Sequence, residues 1–208
     1  MSRHPQPSAT AHRGTVWLVM VLIAGGILVA GCGSDDGGAG ATATQEVFHM
    51  TIIVQSDAFA NGEPIPRRFT GDGENVSPPL RWSGAPAETR GYALICDDPD
   101  APRDQPFVHW VLYALPPAVT SLPEGIEPGA RPAAPAGAVQ GKNDFGKTGY
   151  GGPAPPRGHG VHHYHFKVYA LDQLFHDLEP GLGKAGLLEA IGGHVLAQGE
   201  LVGTYERR

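Results

Sequence analysis

Stretches rich in β-branched and aromatic residues, alternating in part with polar ones, predict that the chain is built mainly from β-strands. The predicted strands cover residues 48–54, 91–97, 107–114 and 161–171, and a shorter one covers 201–205. Between 116 and 156, proline and glycine are frequent and periodicity is weak, so we expect long ordered loops there.

A helix is predicted over 184–197, near the end of the chain. Four apolar residues recur there at helical spacing and would form one stripe: Leu187, Leu188, Ile191 and Val195. Two adjacent glycines at 192 and 193 weaken this helix, each by about 1 kcal/mol relative to alanine. The order of elements therefore predicts a mainly β fold with one or two helices late in the chain.

The longest apolar run, residues 16–30, follows a segment that contains arginine but no acidic residue. Its length is below the roughly 20 residues that a transmembrane helix needs. Residues 28–32 read Leu-Val-Ala-Gly-Cys, which resembles the lipobox of bacterial lipoproteins. We interpret residues 1–31 as a lipoprotein signal peptide and Cys32 as the lipidation site. The alternatives are an ordinary signal peptide, or a transmembrane anchor, with a chance cysteine.

The next segment, 32–46, consists mostly of small and polar residues that cannot bury a core, and predicts a flexible tether. The domain would then span 47–208, which is long enough to fold around its own core. Besides Cys32 the chain has one cysteine, Cys96, so no intrachain disulfide is available to the domain. We expect Cys96 to be a buried structural thiol and not a nucleophile.

Composition and charge exclude several classes of protein. The 30 glycines and 20 prolines show no three-residue period, which excludes collagen. With 41% hydrophobic and 17% charged residues, the chain is neither disordered throughout nor a long coiled coil. The net charge is −6 and no basic run occurs, so we expect no nucleic-acid partner.

Three carboxylates lie within four residues at the end of the strand at 91–97: Asp97, Asp98 and Asp100. Their mutual repulsion raises some of their pKa values unless a cation or a hydrogen-bond donor lies nearby. Taken alone, the segment is more typical of a solvated acidic turn.

His109 lies in the strand at 107–114, where both faces are apolar. In a regular strand it would share its face with Phe107 and Val111. A core histidine with satisfied hydrogen bonds is the simpler interpretation of this residue taken alone.

The stretch 151–169 carries four histidines after a loop of glycine and proline. Strand alternation turns His162 and Tyr164 inward and His163 and His165 outward. The outward pair could chelate a metal, but no E-x-x-H or C-x-x-C spacing supports this, and we expect no metal and no cofactor. A serine hydrolase is likewise weakly supported, since no G-x-S-x-G elbow is present.

Taken together, these segments resemble the phosphatidylethanolamine-binding protein family. The resemblance lies in Asp-Pro-Asp-Ala-Pro at 98–102, His-Trp at 109–110, Gly-Pro-Ala-Pro-Pro at 152–156 and Gly-Val-His-His-Tyr at 160–164. Two more blocks, 75–82 and 193–201, resemble its bacterial branch, the Raf kinase inhibitor-like proteins. The resemblance covers roughly residues 48–207.

The resemblance implies an antiparallel β-sandwich with a few peripheral helices and, at one end, a small pocket for phosphate, acetate or a phospholipid head group. Carried over by position, the ligand-binding residues are Asp98, Asp100, His109, Gly152, Pro153, His162 and Tyr164. We expect both pocket histidines at the rim, donating to the anion, and the two aspartates to raise the pKa of His109.

The chain departs from the family pattern at two positions. Ala154 stands where bacterial members often have cysteine, which changes only packing. His163 stands where arginine or lysine commonly follows the motif histidine, which removes a fixed positive charge from the rim.

No activated nucleophile is evident, so we expect a binding protein and not an enzyme. A regulatory role is compatible with this expectation. It would be exported and anchored through lipidated Cys32 in the bacterial cell envelope, facing outside the cytoplasm, as a monomer or homodimer. Its partners would be the membrane and a small anion or phospholipid head group. The alternatives are an inhibitor of an envelope protease or kinase, and a hydrolase with His109 or His162 as base and Asp100 orienting it.

Removing the predicted signal peptide together with the lipidation site should leave a folded, soluble domain. We expect a protein that lacks residues 1–31 and carries Cys32→Ser to be a soluble monomer or dimer, because the apolar run and Cys32 lie outside the part of the chain that the resemblance covers. Circular dichroism and size-exclusion chromatography check this. Failure of residues 45–208 to fold without the leader would contradict the domain boundary.

Overall fold

A computed structural model describes residues 51–208. Its elements are β1 (Ile53–Gln55), β2 (Leu80–Ser83), β3 (Gly91–Asp98), β4 (Phe107–Leu115), β5 (Ser121–Leu122), β6 (Val139–Gln140), β7 (Val161–Leu171), α1 (Lys184–Ala190) and β8 (Val195–Glu206). A 3-10 turn, Arg67–Phe69, precedes β2. The predicted signal peptide, tether and lipidation site lie outside the described residues. Within 51–208, α1 is too short and too polar to cross a bilayer.

The strands form two antiparallel sheets packed face to face. The smaller sheet has the order β1-β2-β5 and the larger one β6-β4-β3-β7-β8. Side chains of both sheets meet in one core, with Trp82 and Leu122 from the small sheet and Trp110 and Phe166 from the large one. The predicted fold class, a mainly β antiparallel sandwich, is confirmed.

The outer face of the large sheet carries a second core. Leu187 and Ile191, from α1 and its C-terminal end, pack there with Ile95, Val111 and Val139. Every residue of β3 is buried, because this strand lies in the middle of the sheet and has a core on each side. Cys96 is buried, as expected from the sequence, and Trp82 and Trp110 are buried as well.

The helix is shorter than predicted and the last strand is longer. The helix ends at Ala190, and Gly193 follows with a φ of +81°, a conformation that favours glycine. From Val195 onward the chain pairs with β7, whose edge offers unpaired backbone groups. The prediction of a helix over 184–197 is therefore wrong beyond Ala190, and the strand predicted at 201–205 begins at Val195.

A β-bulge interrupts β4 at His109. Cys96 pairs with Trp110, whereas the next residue, Asp97, pairs with Val108, so His109 is the extra residue. The bulge reverses the alternation, and Val108 and Val111 both pack on the helix side of the sheet. His109 turns to the other side, so the prediction that it shares a face with Val111 is wrong.

A methyl group on Gly199 should destabilise the domain. A Cβ at this position of β8 would lie 1.7 Å from the carbonyl oxygen of Ile52, which is main chain and cannot move aside alone. We expect Gly199→Ala to lower the free energy of unfolding by about 2 kcal/mol or more, as overpacking does.

Urea denaturation measures this effect. Gly183→Ala is the matched control, since a Cβ there would meet no heavy atom within 4 Å. It should cost less than about 1 kcal/mol. Equal costs for the two substitutions would contradict the packing of β8 against the chain at Ile52.

Candidate functional site

A cavity of about 280 Å³ lies at the edge of the large sheet where β3 ends and where β4 and β7 begin. Because these neighbouring strands are antiparallel, residues far apart in sequence meet at this edge. The lining residues are Asp98, Ala101, Pro102, Arg103, Phe107, His109, Phe145, Ala154, Pro155, Pro156, His162 and Tyr164. The wall is mostly apolar, with a few polar groups converging on one space.

Asp98 and His162 form the buried base of the cavity. The Asp98 Oδ2 atom accepts a hydrogen bond from Nδ1 of His162 at 2.7 Å, and Oδ1 accepts one from the backbone N–H of Asp100 at 2.8 Å. Asp98 is 3% and His162 1% exposed. The expectation that His162 lies at the rim is therefore wrong: truncating it would leave a buried carboxylate without its partner.

His159 covers the second nitrogen of His162. The distance between His159 Nδ1 and His162 Nε2 is 2.7 Å, so both nitrogens of His162 have partners. His159 lies between two glycines with positive φ, Gly158 at +74° and Gly160 at +93°. From the sequence, His159 is one of four histidines in the stretch 151–169 and has no predicted role. Nothing in the loop sequence predicts the position of its side chain.

His109 is held by a reciprocal pair of bonds with Gly151. Its Nδ1 lies 2.6 Å from the Gly151 carbonyl oxygen, and the Gly151 N–H donates to the His109 carbonyl oxygen at 2.9 Å. A carbonyl oxygen only accepts, so the hydrogen is on Nδ1. Burial lowers the pKa of His109 and outweighs the Gly151 carbonyl and the charge of Asp98.

His109 is accordingly neutral near pH 7, and its Nε2 is an acceptor. The expectation that the neighbouring aspartates raise the pKa of His109 is wrong. The reason is its depth: at 3% exposure, loss of hydration disfavours the imidazolium more than the neighbouring carboxylate favours it.

Tyr164 presents a hydroxyl group with no partner in the protein. The side chain is fully buried, and its oxygen is one of two buried side-chain polar atoms in residues 51–208 that lack a hydrogen bond. Burial and the negative charge of Asp98 raise the pKa of Tyr164 far above its ordinary value. The group therefore remains an O–H donor next to the cavity.

Three predicted ligand-binding residues do not line the cavity: Asp100, Gly152 and Pro153. The Asp100 carboxylate is turned outward and accepts from the backbone and ring nitrogens of His163. The Gly152 N–H donates to the side-chain oxygen of Asn75 at 2.7 Å, and the Pro153 carbonyl accepts from Gly71. These residues shape the neighbouring loops, and Gly151 is the glycine that contacts the site.

Sequence reasoning missed Arg103, Phe107 and Phe145 as lining residues. The Arg103 guanidinium donates to Asp144 at 2.8 Å and lies 5.4 Å from the centre of the Phe107 ring. Phe145 packs edge-on against both Phe107 and His109 and is 44% exposed. Arg103 could have been found, since it follows directly on the acidic block at 98–102; nothing in the sequence around Phe145 marks it.

The fold and the site define a class of protein: an antiparallel β-sandwich with a small, partly polar cavity where three strands of one sheet meet. Residues 55–206 match the phosphatidylethanolamine-binding protein family. This chain belongs to that family.

Relatives from archaea and bacteria support the assignment. A UPF0098 protein of Methanothermobacter thermautotrophicus is 50% identical, over 74% of this chain and 98% of that protein. A UPF0098 protein of Pyrococcus horikoshii is 48% identical, over 76% of this chain and 78% of that one.

Among solved structures, YbcL of Escherichia coli, described as a member of the mammalian PEBP family, has a TM-score of 0.70 and 36% identity, over 76% of this chain and 99% of that one. A PEBP homologue from Chlamydia trachomatis has a TM-score of 0.67 and 40% identity, with the same coverage.

The buried neutral His109 should make the domain sensitive to acid. The unfolded chain protonates this histidine near its ordinary pKa of about 6.5. The folded state does so only at lower pH, because the pKa of His109 is lowered. Stability is thus lost as pH falls from about 6.5 to the folded pKa, by up to about 1.4 kcal/mol per pH unit from this residue.

Urea denaturation at neutral and mildly acidic pH tests this. His109→Gln should lose less stability on acidification than the wild type does. His176→Gln is the control, because His176 is exposed and should leave the acid slope unchanged. A His109→Gln protein with the wild-type slope would contradict a neutral buried imidazole.

Proposed function

We propose that this protein is a non-catalytic binding protein whose cavity takes a small anion, either free phosphate or the phosphate of a lipid head group. One observation carries the proposal: the Tyr164 hydroxyl is buried beside the cavity without a partner. An unpaired buried hydroxyl costs free energy, and a ligand oxygen that accepts from it removes that cost.

The neighbouring groups suit an anion of limited size. Arg103 lines the cavity and is 44% exposed at its side chain, so its guanidinium can attract an anion from solvent. The volume of about 280 Å³ is slightly below the usual range for ligand pockets. The apolar wall of Phe107, Phe145 and the prolines would contact an organic substituent on the anion.

The site lacks the hydroxyl or thiol nucleophile of a catalytic triad. No serine, threonine or cysteine is among the lining residues. Cys96 is buried, and burial raises its pKa well above the ordinary value, so it is a poor nucleophile. His109 points Nδ1 at a carbonyl oxygen and not at a carboxylate, unlike the oriented base of a catalytic triad.

The Asp98–His162 pair favours a second candidate, a hydrolase in which Asp98 orients His162 as a general base. His159 occupies the nitrogen that would take the proton, which argues against this in the present arrangement. A turnover screen with phosphate and carboxylate esters, on the wild type and on His159→Ala, separates the two functions. Turnover that the His159 substitution increases would support the hydrolase.

Export and anchoring complete the proposal. The lipobox at 28–32 and the tether at 32–46 would place the cavity outside the cytoplasm, close to a membrane surface. A phosphate that belongs to a lipid and a phosphate free in solution present the same oxygens to Tyr164. Binding of soluble phosphate and binding of vesicles, measured on a protein without the leader and with Cys32→Ser, distinguish the two sources.

Removing the hydroxyl oxygen of Tyr164 should weaken anion binding. We expect Tyr164→Phe to lose about 1.5–3 kcal/mol of phosphate binding free energy, the value of a hydrogen bond to a charged group. The domain should stay folded, since the substitution removes an unpaired buried hydroxyl. Titration calorimetry with inorganic phosphate measures the change.

Tyr150→Phe is the matched control. Tyr150 is half-buried, its hydroxyl donates to the Phe69 carbonyl at 2.7 Å, and it does not line the cavity. This variant should keep wild-type affinity. Equal affinities of wild type and Tyr164→Phe would place anion binding elsewhere or exclude it.

A further inference from the structure

We propose that His159 is an acid-sensitive lid on His162: its ring covers the buried imidazole at neutral pH and leaves it once both rings are protonated. The lid is a property of the protein alone. It goes beyond the proposed function, because it holds whether or not the cavity binds an anion. It follows from the number of hydrogens that can lie between two facing ring nitrogens.

The contact between the two rings requires one shared hydrogen. Nδ1 of His159 lies 2.7 Å from Nε2 of His162, and the ring centres are 5.0 Å apart. At this distance one nitrogen donates its N–H and the other accepts with its lone pair. Two N–H groups facing each other would place their hydrogens in the same space. The contact can therefore hold while at least one ring is neutral, and it cannot hold once both rings are imidazolium.

One positive charge suits the surroundings of the pair better than two. Nδ1 of His162 lies 2.7 Å from Oδ2 of Asp98, so this carboxylate faces any charge on the pair. The neighbouring Asp100 carboxylate is turned outward and accepts from the backbone and ring nitrogens of His163. A second proton would place two positive charges beside one inward carboxylate, and like charges in contact repel. The pair can thus take up one proton with the lid closed, and the second proton separates the rings.

The other charged and titratable groups around the pair do not supply a second free carboxylate. Those that could carry a positive charge would add to the repulsion, and the two carboxylates among them are already paired with arginines. These groups are His109 on β4, Tyr164 on β7, Arg103 with its partner Asp144, Arg157, and Arg207 with its partner Asp72.

The His159 ring has room to leave. His159 is exposed, whereas His162 is 1% exposed. The flanking glycines, Gly158 and Gly160, have positive φ, and a Cβ on either would meet no heavy atom within 4 Å. No neighbouring group therefore packs closely against the main chain at these two positions. The ring can turn into solvent and uncover Nε2 of His162, which lines the cavity.

The base of the loop is held by bonds that mild acid does not break. The Gly158 N–H donates to the Arg207 carbonyl oxygen at 3.2 Å, and the Arg157 guanidinium donates to the Arg208 carbonyl oxygen. The Arg207 guanidinium makes two hydrogen bonds to Asp72, of 2.6 and 2.9 Å, and holds the pKa of that carboxyl at about 2. We therefore expect the loop to stay attached while the His159 side chain swings out.

Nuclear magnetic resonance on the full chain in detergent micelles, with isotopically labelled histidine, tests the lid. The nuclear Overhauser contact between the His159 and His162 rings is followed from about pH 7.5 to about pH 4.5, the range in which histidines gain their charge. Ring-nitrogen shifts count the hydrogens on each ring, and backbone amides report folding. In the wild type we expect the contact at the upper pH, its persistence through the first protonation, and its loss at the second. The Gly158 amide should stay protected from exchange throughout.

His159→Gln removes the trigger and keeps a lid. A glutamine amide can turn its NH₂ toward a neutral His162 or its oxygen toward a protonated one. We therefore expect this variant to keep its contact with His162 at both ends of the titration. His165→Gln is the matched control, because His165 lies on the outward face of the same strand, 3.0 Å from Glu200, and should leave the opening of the lid unchanged.

The wild type alone decides the proposal. Rings that lack the contact at the upper pH, or keep it in the folded protein at about pH 4.5, would overturn the lid, as would loss of the contact at the first protonation. Unfolding before the contact breaks would also contradict it, since the rings would then separate only with the whole domain. A His159→Gln protein that opens as the wild type does would show that the shared hydrogen is not the trigger. No ligand is present in these measurements, so their failure leaves the proposed function untouched.

Discussion

The structure depends on two consecutive buried carboxylates at the end of its central strand. Asp97 and Asp98 are both buried, and strand alternation sends their side chains to opposite faces of the large sheet. On the helix side, burial pushes the pKa of Asp97 upward, but hydrogen bonds from Lys184 and Lys167 outweigh it and hold the pKa below its ordinary value. On the cavity side, Asp98 is satisfied by His162 and a backbone N–H. One carboxylate thus ties α1 to the sheet, and the other forms the base of the site.

The β-bulge at His109 places a second histidine, besides His162, beside the cavity. Without the extra residue, His109 would follow the alternation of Val111 and lie on the helix side of the sheet, opposite Asp97 and away from the cavity. With it, the ring turns toward Tyr164, with ring centres 5.0 Å apart, and reaches the Gly151 carbonyl. Bulges often re-aim a side chain beside a functional site. The bonds to Gly151 fix the tautomer as well as the position.

Strand periodicity was enough to predict β7 over 161–171 and the inward direction of His162 and Tyr164, because a long amphipathic strand has one register that buries its apolar face. It could not predict the bulge at His109, which no glycine marks, nor the partner of Asp100, which depends on the register of β3 against β7. The helix was predicted too long because Val195 fits a helical stripe and a strand equally well, and the free edge of β7 decided between them. The family resemblance identified the motif residues. It did not predict which ring nitrogen of each histidine has a hydrogen-bond partner in the protein.

These details determine what kind of recognition the cavity can support. The chain is acidic overall, and the Arg103 charge is largely balanced by Asp144. For the proposed anion, net positive charge would therefore not be the main attraction, and the buried carboxylate of Asp98 would oppose its binding. What remains is a small number of oriented donors and acceptors in a mostly apolar enclosure, where each hydrogen bond is stronger than in water and each unpaired group costs more. For the proposed ligand, affinity would therefore come mainly from hydrogen bonds inside the cavity and less from net charge.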